Sequence, residues 1–375
     1  MSLEVKLLIG LIIAINISLS ASIQEGNYAP IDSITHTKDS TIQSVWEIKN
    51  TNFSSTDILL SSNWIYFTLD SGQIYCYDFS GKEKWMNEVQ GFIPNNSVLY
   101  KDLFLAGTEE GDLYSINSNT GDVIQVVGIG ENITTGLLLI DITSSNIKSK
   151  AVVLGTSDGN IFCYDAFTFE LLWSKNISTS PIISTPLFQN DKLLFISANS
   201  SLYNVNPKTG SLNWKYEFVE NQNLKRINYP LSDGINIFSL TPDGNLIAFD
   251  LLLGKKIWSS NTKGAINQFY ISSDKQRLFL IDNKGLMTIC NSKNGKEIGK
   301  IDFKKTEIFT FVMAENKNST LVGFSDGSLY TFDSNFFPVE LISPDQIPIT
   351  SINVIDKNEF IVKDVNGKIT LYKVE

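Results

Sequence analysis

The sequence predicts an all-β fold: an eight-bladed β-propeller of four-stranded blades, its ring closed by an N-terminal strand that completes the last blade. One observation is a pattern written eight times, most fully as Gly155-Thr156-Ser157-Asp158-Gly159-Asn160-Ile161-Phe162-Cys163-Tyr164-Asp165, with Trp173 eight residues on. Its glycine, or the residue in its place, falls at Gly72, Gly111, Gly159, Ser200, Gly244, Gly285, Gly327 and Gly367. The successive spacings of 39, 48, 41, 44, 41, 42 and 40 residues lie in the range of propeller blades. A second observation is that no helix-period pattern of useful length occurs after residue 25. The third is a pair of complementary ends. The eighth copy stops after three strands, while Ser44-Val45-Trp46-Glu47-Ile48 reads as a lone fourth strand in front of the first copy.

In chain order, Lys6 precedes an apolar run from Leu7 to Leu19, and the small residues Ser18, Ser20, Ala21 and Ser22 close it. This is the pattern of a secretory signal peptide over residues 1–22. The run is too short to span a bilayer, so no stable membrane insertion is expected after cleavage. Residues 23–40 read as a polar, flexible leader and residues 41–375 as the propeller.

Within a blade, an apolar first strand such as Ile182 to Phe188 precedes two strands that flank a hairpin turn, as at Asp158-Gly159, Asp243-Gly244, Asp326-Gly327 and Asn366-Gly367. Six positions after the glycine comes Asp78, Asn117, Asp165, Asn206, Asp250, Asn291 or Asp333, a short side chain able to bond its own backbone and turn the chain. Lys373 breaks the rule in the eighth copy. A further glycine at Gly121, Gly210, Gly254 or Gly295 leads to a fourth strand carrying Trp173, Trp214 or Trp258; Gly81 and Trp85 arrive one residue early. The last blade supplies Thr350 to Val354, Glu359 to Lys363 and Lys368 to Tyr372.

The spacing of 48 residues holds a polar surplus, Thr143 to Lys150, expected to be a loop insertion. A net charge of −10 with scattered Lys and Arg argues against nucleic acid as a partner. The cysteines have no metal or redox spacing. Cys76 and Cys163 fill the slot two residues before the turn Asp, where other copies place Ser115, Ala248 and Thr331, so they read as small buried fillers. With Cys290 they fall in three different blades, and no disulfide is expected. His36, the single histidine, lies in the leader, which leaves no Ser/His pair and no histidine metal site in the propeller. Each Asp-Gly turn carries one carboxylate rather than the alternating set of a calcium loop. No metal or cofactor is expected.

The turn and fourth strand together, seen as Ala248-x-Asp250-x-x-x-Gly254-x-x-x-Trp258, resemble the tryptophan-docking motif of the pyrroloquinoline-quinone-type propellers, over essentially the whole chain after the leader. The resemblance implies that each Trp packs on the glycine peptide of its own motif and pins neighbouring blades. Trp46, Trp85, Trp173, Trp214 and Trp258, with Gly121, Gly210 and Gly254, would then be structural. Phe169 replaces the glycine in blade three, Gly299 replaces the Trp in blade six, and blade seven carries Phe336-Phe337-Pro338, which implies less regular docking there.

That family divides into quinoprotein dehydrogenases and non-enzymatic scaffolds. The dehydrogenases look longer and carry adjacent cysteines, a calcium held by carboxylate and amide groups, and a catalytic Asp in the central channel. This chain has no adjacent Cys pair, and its expected channel strands, such as Thr135 to Ile142 and Ile266 to Ile271, are mostly apolar. The expectation is therefore a non-enzyme, similar in blade count, size and export to the propeller of the bacterial outer-membrane β-barrel assembly machinery, although no lipid-bearing Cys follows the small residues. Exported to the periplasm, cell envelope or extracellular space and monomeric, it would present rigid loops to a protein or peptide. The alternatives are a quinoprotein dehydrogenase and an extracytoplasmic or luminal sensor, for which the sequons at Asn52, Asn95, Asn132, Asn176, Asn199 and Asn318 would fit. Candidate partner contacts lie where copies deviate: Ile147, Lys148 and Lys150 in the insertion, and Phe336, Phe337 and Pro338, where two large apolar groups occupy an outer turn.

Overall fold

The computed structural model is an eight-bladed β-propeller in which every blade is a four-stranded antiparallel sheet. It describes residues 42–49, 52–93, 95–144, 147–218, 230–241, 244–260, 266–305, 311–315, 320–332, 338–343, 345–356 and 358–374, with the backbone alone for 143, 144, 147, 148 and 267. The described residues divide into two compact units, one within residues 50–265 and one of residues 42–49 with those from 266 onward. The first carries blade one (59–88), two (98–128), three (138–176), four (187–217) and five (231–259). The second carries blades six (266–302), seven (311–342) and eight (349–374). In it, Ile42–Ile48 pairs antiparallel with Ile369–Val374 as the outer strand of blade eight, Trp46 standing opposite Leu371. The last blade is thus completed by the N-terminal strand.

In blades two, three, four and seven the two middle strands are buried because the sheet has a neighbouring sheet on both faces. Alternation decides which neighbour a side chain meets. In blade two, Phe104 and Ala106 enter a cluster with Tyr66, Ile74 and Trp85 of blade one, while Leu103 and Leu105 enter another with Val152, Leu154 and Tyr164 of blade three. Burial on both faces is why these strands read as unbroken apolar runs instead of alternating ones. In the second unit the same arrangement joins Phe279 and Ile281 of blade six to Phe311, Val322 and Phe324 of blade seven.

The turns follow their chemistry. Asp165 Oδ1 accepts the backbone N–H groups of Phe167 and Thr168, both at 2.9 Å, and Asp250 Oδ1 does the same for Leu252 and Leu253. At the hairpin, Gly159 has φ +77°, and a Cβ on it would collide with the Ser178 carbonyl oxygen, so only glycine fits.

Two expectations are corrected. The surplus at 143–150 is not a loop: Leu138–Ser144 and Ile147–Gly155 pair in unbroken register from Leu138↔Val153 to Ser144↔Ile147, so the insertion lengthens a hairpin. Polar residues that pair with each other need no core to remain in a ladder. The first strand of blade four is only Leu187–Gln189 rather than Ile182 to Phe188, because Pro186 has no N–H to give the ladder; Ile182 makes a single bridge to Ser197.

Candidate functional site

The tryptophans and glycines meet across blades. Trp85 of blade one covers Gly121 of blade two, so closely that a Cβ on the glycine would lie 2.7 Å from Trp85 Cε3. Trp173 of blade three covers Gly210 of blade four, and Trp214 of blade four covers Gly254 of blade five, at 2.5 and 2.6 Å. The glycine is therefore the next blade's, not that of the Trp's own motif. The outer-strand Trp turns its indole toward the adjacent sheet and meets that sheet's turn. Trp85 Nε1 donates to the Ser118 carbonyl at 3.0 Å and Trp173 Nε1 to the Pro207 carbonyl at 2.9 Å, each three residues before the covered glycine. The equivalent Leu251 carbonyl is taken instead by Asn204 Nδ2 at 3.1 Å, and Trp214 Nε1 is buried without a partner among the described residues.

The filler slot lies directly opposite the Trp: Cys76↔Trp85, Cys163↔Trp173 and Ala248↔Trp258, with a bulge immediately after it each time. A small side chain there leaves room for the indole. Burial pushes the thiols of Cys76 and Cys163 up to about 12 and that of Cys290 up to about 11. Between blades two and three the aromatic changes sides. Gln125 stands opposite Ser115 where a Trp would be, and Phe169 occupies the glycine position at φ +57°, its ring buried in the cluster shared by both blades.

The deviant residues singled out as partner contacts do not form one site. Ile147 and Lys148 lie opposite Ser144 and Thr143 in the extended hairpin, and Lys150 Nζ pairs with Asp141 at 2.9 Å. Pro338 is buried at the start of Pro338–Ile342, opposite Phe332, so it is not an exposed contact. Phe336 and Phe337 lie outside the described residues, as do residues 1–41 with His36.

A different surface stands out in the first unit. Large apolar side chains are exposed at equivalent places of successive blades, the tip of the third-to-fourth turn and the first residues of the fourth strand. Blade two exposes Val123 and Ile124, blade three Phe167, Leu171 and Leu172, blade four Leu212, and blade five Leu252 and Leu253 at 64% and 63%. Ile235, 73% exposed, joins them from the first turn of blade five, where its carbonyl accepts the Leu251 N–H at 3.0 Å. Lys101 of blade two lies 5.0 Å from the ring of Phe167, tying the row across two blades. The signal was in the repeat: the same two turn positions read Asn119-Thr120, Lys208-Thr209 and Lys293-Asn294 elsewhere, but Phe167-Thr168 and Leu252-Leu253 here. Among the described residues, no three His, Cys, Asp or Glu side chains come together as a metal site.

Eight four-stranded blades, with the Asp, Gly and Trp pattern recurring in register in several of them, define a PQQ-like repeat propeller. The family model of the outer membrane protein assembly factor BamB matches residues 34–188 and 182–323, and the chain belongs to that family. Similar proteins include an uncharacterized protein of Rickettsia prowazekii, 25% identical over 52% of this chain and 53% of that protein. The outer membrane protein assembly factor BamB of Legionella pneumophila is 24% identical over 52% of this chain and 49% of its own length. The chain thus spans about half the length of these curated relatives. A beta-alanine-activating enzyme of Drosophila melanogaster matches at 29% identity over 33% of this chain and 12% of that enzyme. The crystal structure of BamB from Moraxella catarrhalis superposes over 88% of this chain and 99% of that one, with a TM-score of 0.70 at 15% identity, a likeness of fold.

Proposed function

We propose that this chain is an exported, non-catalytic scaffold that binds a protein or peptide partner during outer membrane protein assembly. Membership of the BamB family supports the assembly role. The observation that carries partner binding is the row from Ile124 through Phe167 to Leu252 and Leu253, because solvated turn tips gain nothing from bare leucines unless another surface covers them. The signal-peptide pattern of residues 1–22 supports export, and the leader of residues 23–40 would separate that segment from a monomeric propeller. Affinity capture of the full chain from cell envelopes tests this reading. Outer membrane assembly proteins are expected to co-purify with the unaltered chain and to be lost from the double variant Leu252→Ser/Leu253→Ser. Equal capture by both chains, or none by either, would contradict it.

A further inference from the structure

Every blade ends in an outer strand with no strand beyond it among the described residues. Such an edge is a template for a foreign chain unless charge, proline or a bulge blunts it. Seven of the eight outer strands hold charge within the strand: Glu83–Glu88, Leu171–Asn176, Leu212–Glu217, Lys256–Ser259, Glu297–Asp302, Pro338–Ile342 and Ile42–Ile48. The eighth, Val123–Gly128 of blade two, reads Val-Ile-Gln-Val-Val-Gly and holds none.

Its geometry leaves the edge usable. The Ile129 N–H donates to the Gly111 carbonyl at 2.7 Å. By the alternation of an antiparallel ladder, Val127 and Gln125 also direct their backbone groups into the blade, and Val126 and Gly128 direct theirs outward. The bulge after Ser115 confines the regular ladder to Gln125–Gly128. Val126 is 44% exposed, and beside it Gly128 has no side chain to hold another backbone away. Outward N–H and C=O groups in extended array accept one kind of complement, another strand. An uncharged apolar edge on a chain of net charge −10 selects a strand that brings no unpaired charge of its own.

We propose that this edge receives one extended, uncharged segment of a client polypeptide, alternating in apolar residues, as an antiparallel fifth strand of blade two. The client's class rests on the scaffold reading, since strands bound for an outer-membrane barrel alternate in this way.

The test uses the full chain and a labelled ten-residue peptide alternating Val or Tyr with Thr or Asn. Binding is expected to slow amide hydrogen exchange at Val126 and Gly128. Val126→Pro removes an outward N–H while leaving the ladder to the blade intact, and is expected to weaken binding by about tenfold or more. Val126→Lys adds a guarding charge and should act similarly, so it carries the test if the proline variant fails to fold. Val126→Thr should bind as the unaltered chain does. Exchange unchanged at Val126 and Gly128, or affinity unchanged in the folded variants, would overturn the proposal. It would also fall if sedimentation showed the chain pairing with a second copy through this edge, with Val126→Lys abolishing the dimer and no peptide bound. Envelope partners captured normally by a chain that fails the peptide test would leave the scaffold reading standing. Peptide binding without any captured partner would do the reverse.

Discussion

The cross-blade seat of Trp85 on Gly121 makes a quantitative prediction. Trp85→Ala removes a buried indole and its bond to Ser118, and is expected to cost about 3–5 kcal/mol. Gly121→Ala carries two penalties. At φ +80° the alanine is strained by about 1–2 kcal/mol, and its Cβ lies 2.7 Å from Trp85 Cε3, a collision worth about 1–3 kcal/mol. Once the indole is gone the collision disappears and only the backbone strain remains. The double variant should therefore be less destabilised than the sum of the singles by about 1–3 kcal/mol. Gly81, also at φ +80°, is the glycine of Trp85's own motif; Gly81→Ala combined with Trp85→Ala should add to within about 0.5 kcal/mol. Urea unfolding followed by far-UV circular dichroism measures both cycles. Additivity for Trp85 with Gly121, or coupling with Gly81, would refute the cross-blade seat.

Other outcomes follow from the same packing. The thiols of Cys76, Cys163 and Cys290 are buried and pushed up to about 12, 12 and 11, so alkylation at pH 8 should proceed only as fast as the fold opens; rapid labelling of native protein would contradict this. Lys305 is nearly buried, with its Nζ 2.8 Å from Asp326 Oδ2; burial raises the Asp326 carboxyl, but bonds from Lys305 and Ser328 outweigh it and hold it low. A lowered carboxyl contributes stability that is present above its unfolded pKa of about 3.9 and lost as pH falls through the folded value. Lys305→Met should then destabilise by about 3 kcal/mol near pH 7, with the gap closing below pH 4; a gap independent of pH in denaturant melts would contradict it. Pyrroloquinoline quinone with calcium is expected to change neither absorbance nor dye-linked alcohol oxidation. N-terminal sequencing of exported protein should begin near Ser20 to Ser22, and retention of Met1 would remove the signal-peptide reading.

Blade count, turn chemistry and the completion of blade eight by Ile42–Ile48 were legible because each rests on local residue types recurring at one period. What escaped were relations between copies. The partner of Trp85 lies 36 residues away in the next blade, yet the sequence holds a trace of it: blade two has Gln125 for its Trp, and blade three then has Phe169 for its glycine. Gly299 followed by Phe337 repeats the exchange. The polar stretch from Thr143 to Lys150 read as a loop because a hairpin beyond the core shows no apolar alternation. Leu252 and Leu253 escaped for the opposite reason. Within Ala248 to Leu253 they continue an apolar strand, and only alignment with Lys208-Thr209 shows them to be turn tips. Burial of Pro338 was not legible either, because its position in the strand depends on pairing with Phe332.

The central claim, that a partner is held on the turn side of blades two to five, is tested most directly by a photo-crosslinking residue placed at Leu252 in cells that export the chain. A discrete adduct with an outer membrane assembly protein is predicted, absent when the probe is moved to Asp158 on the hairpin turn of blade three. No adduct at Leu252, or the same adduct from both positions, would contradict the claim.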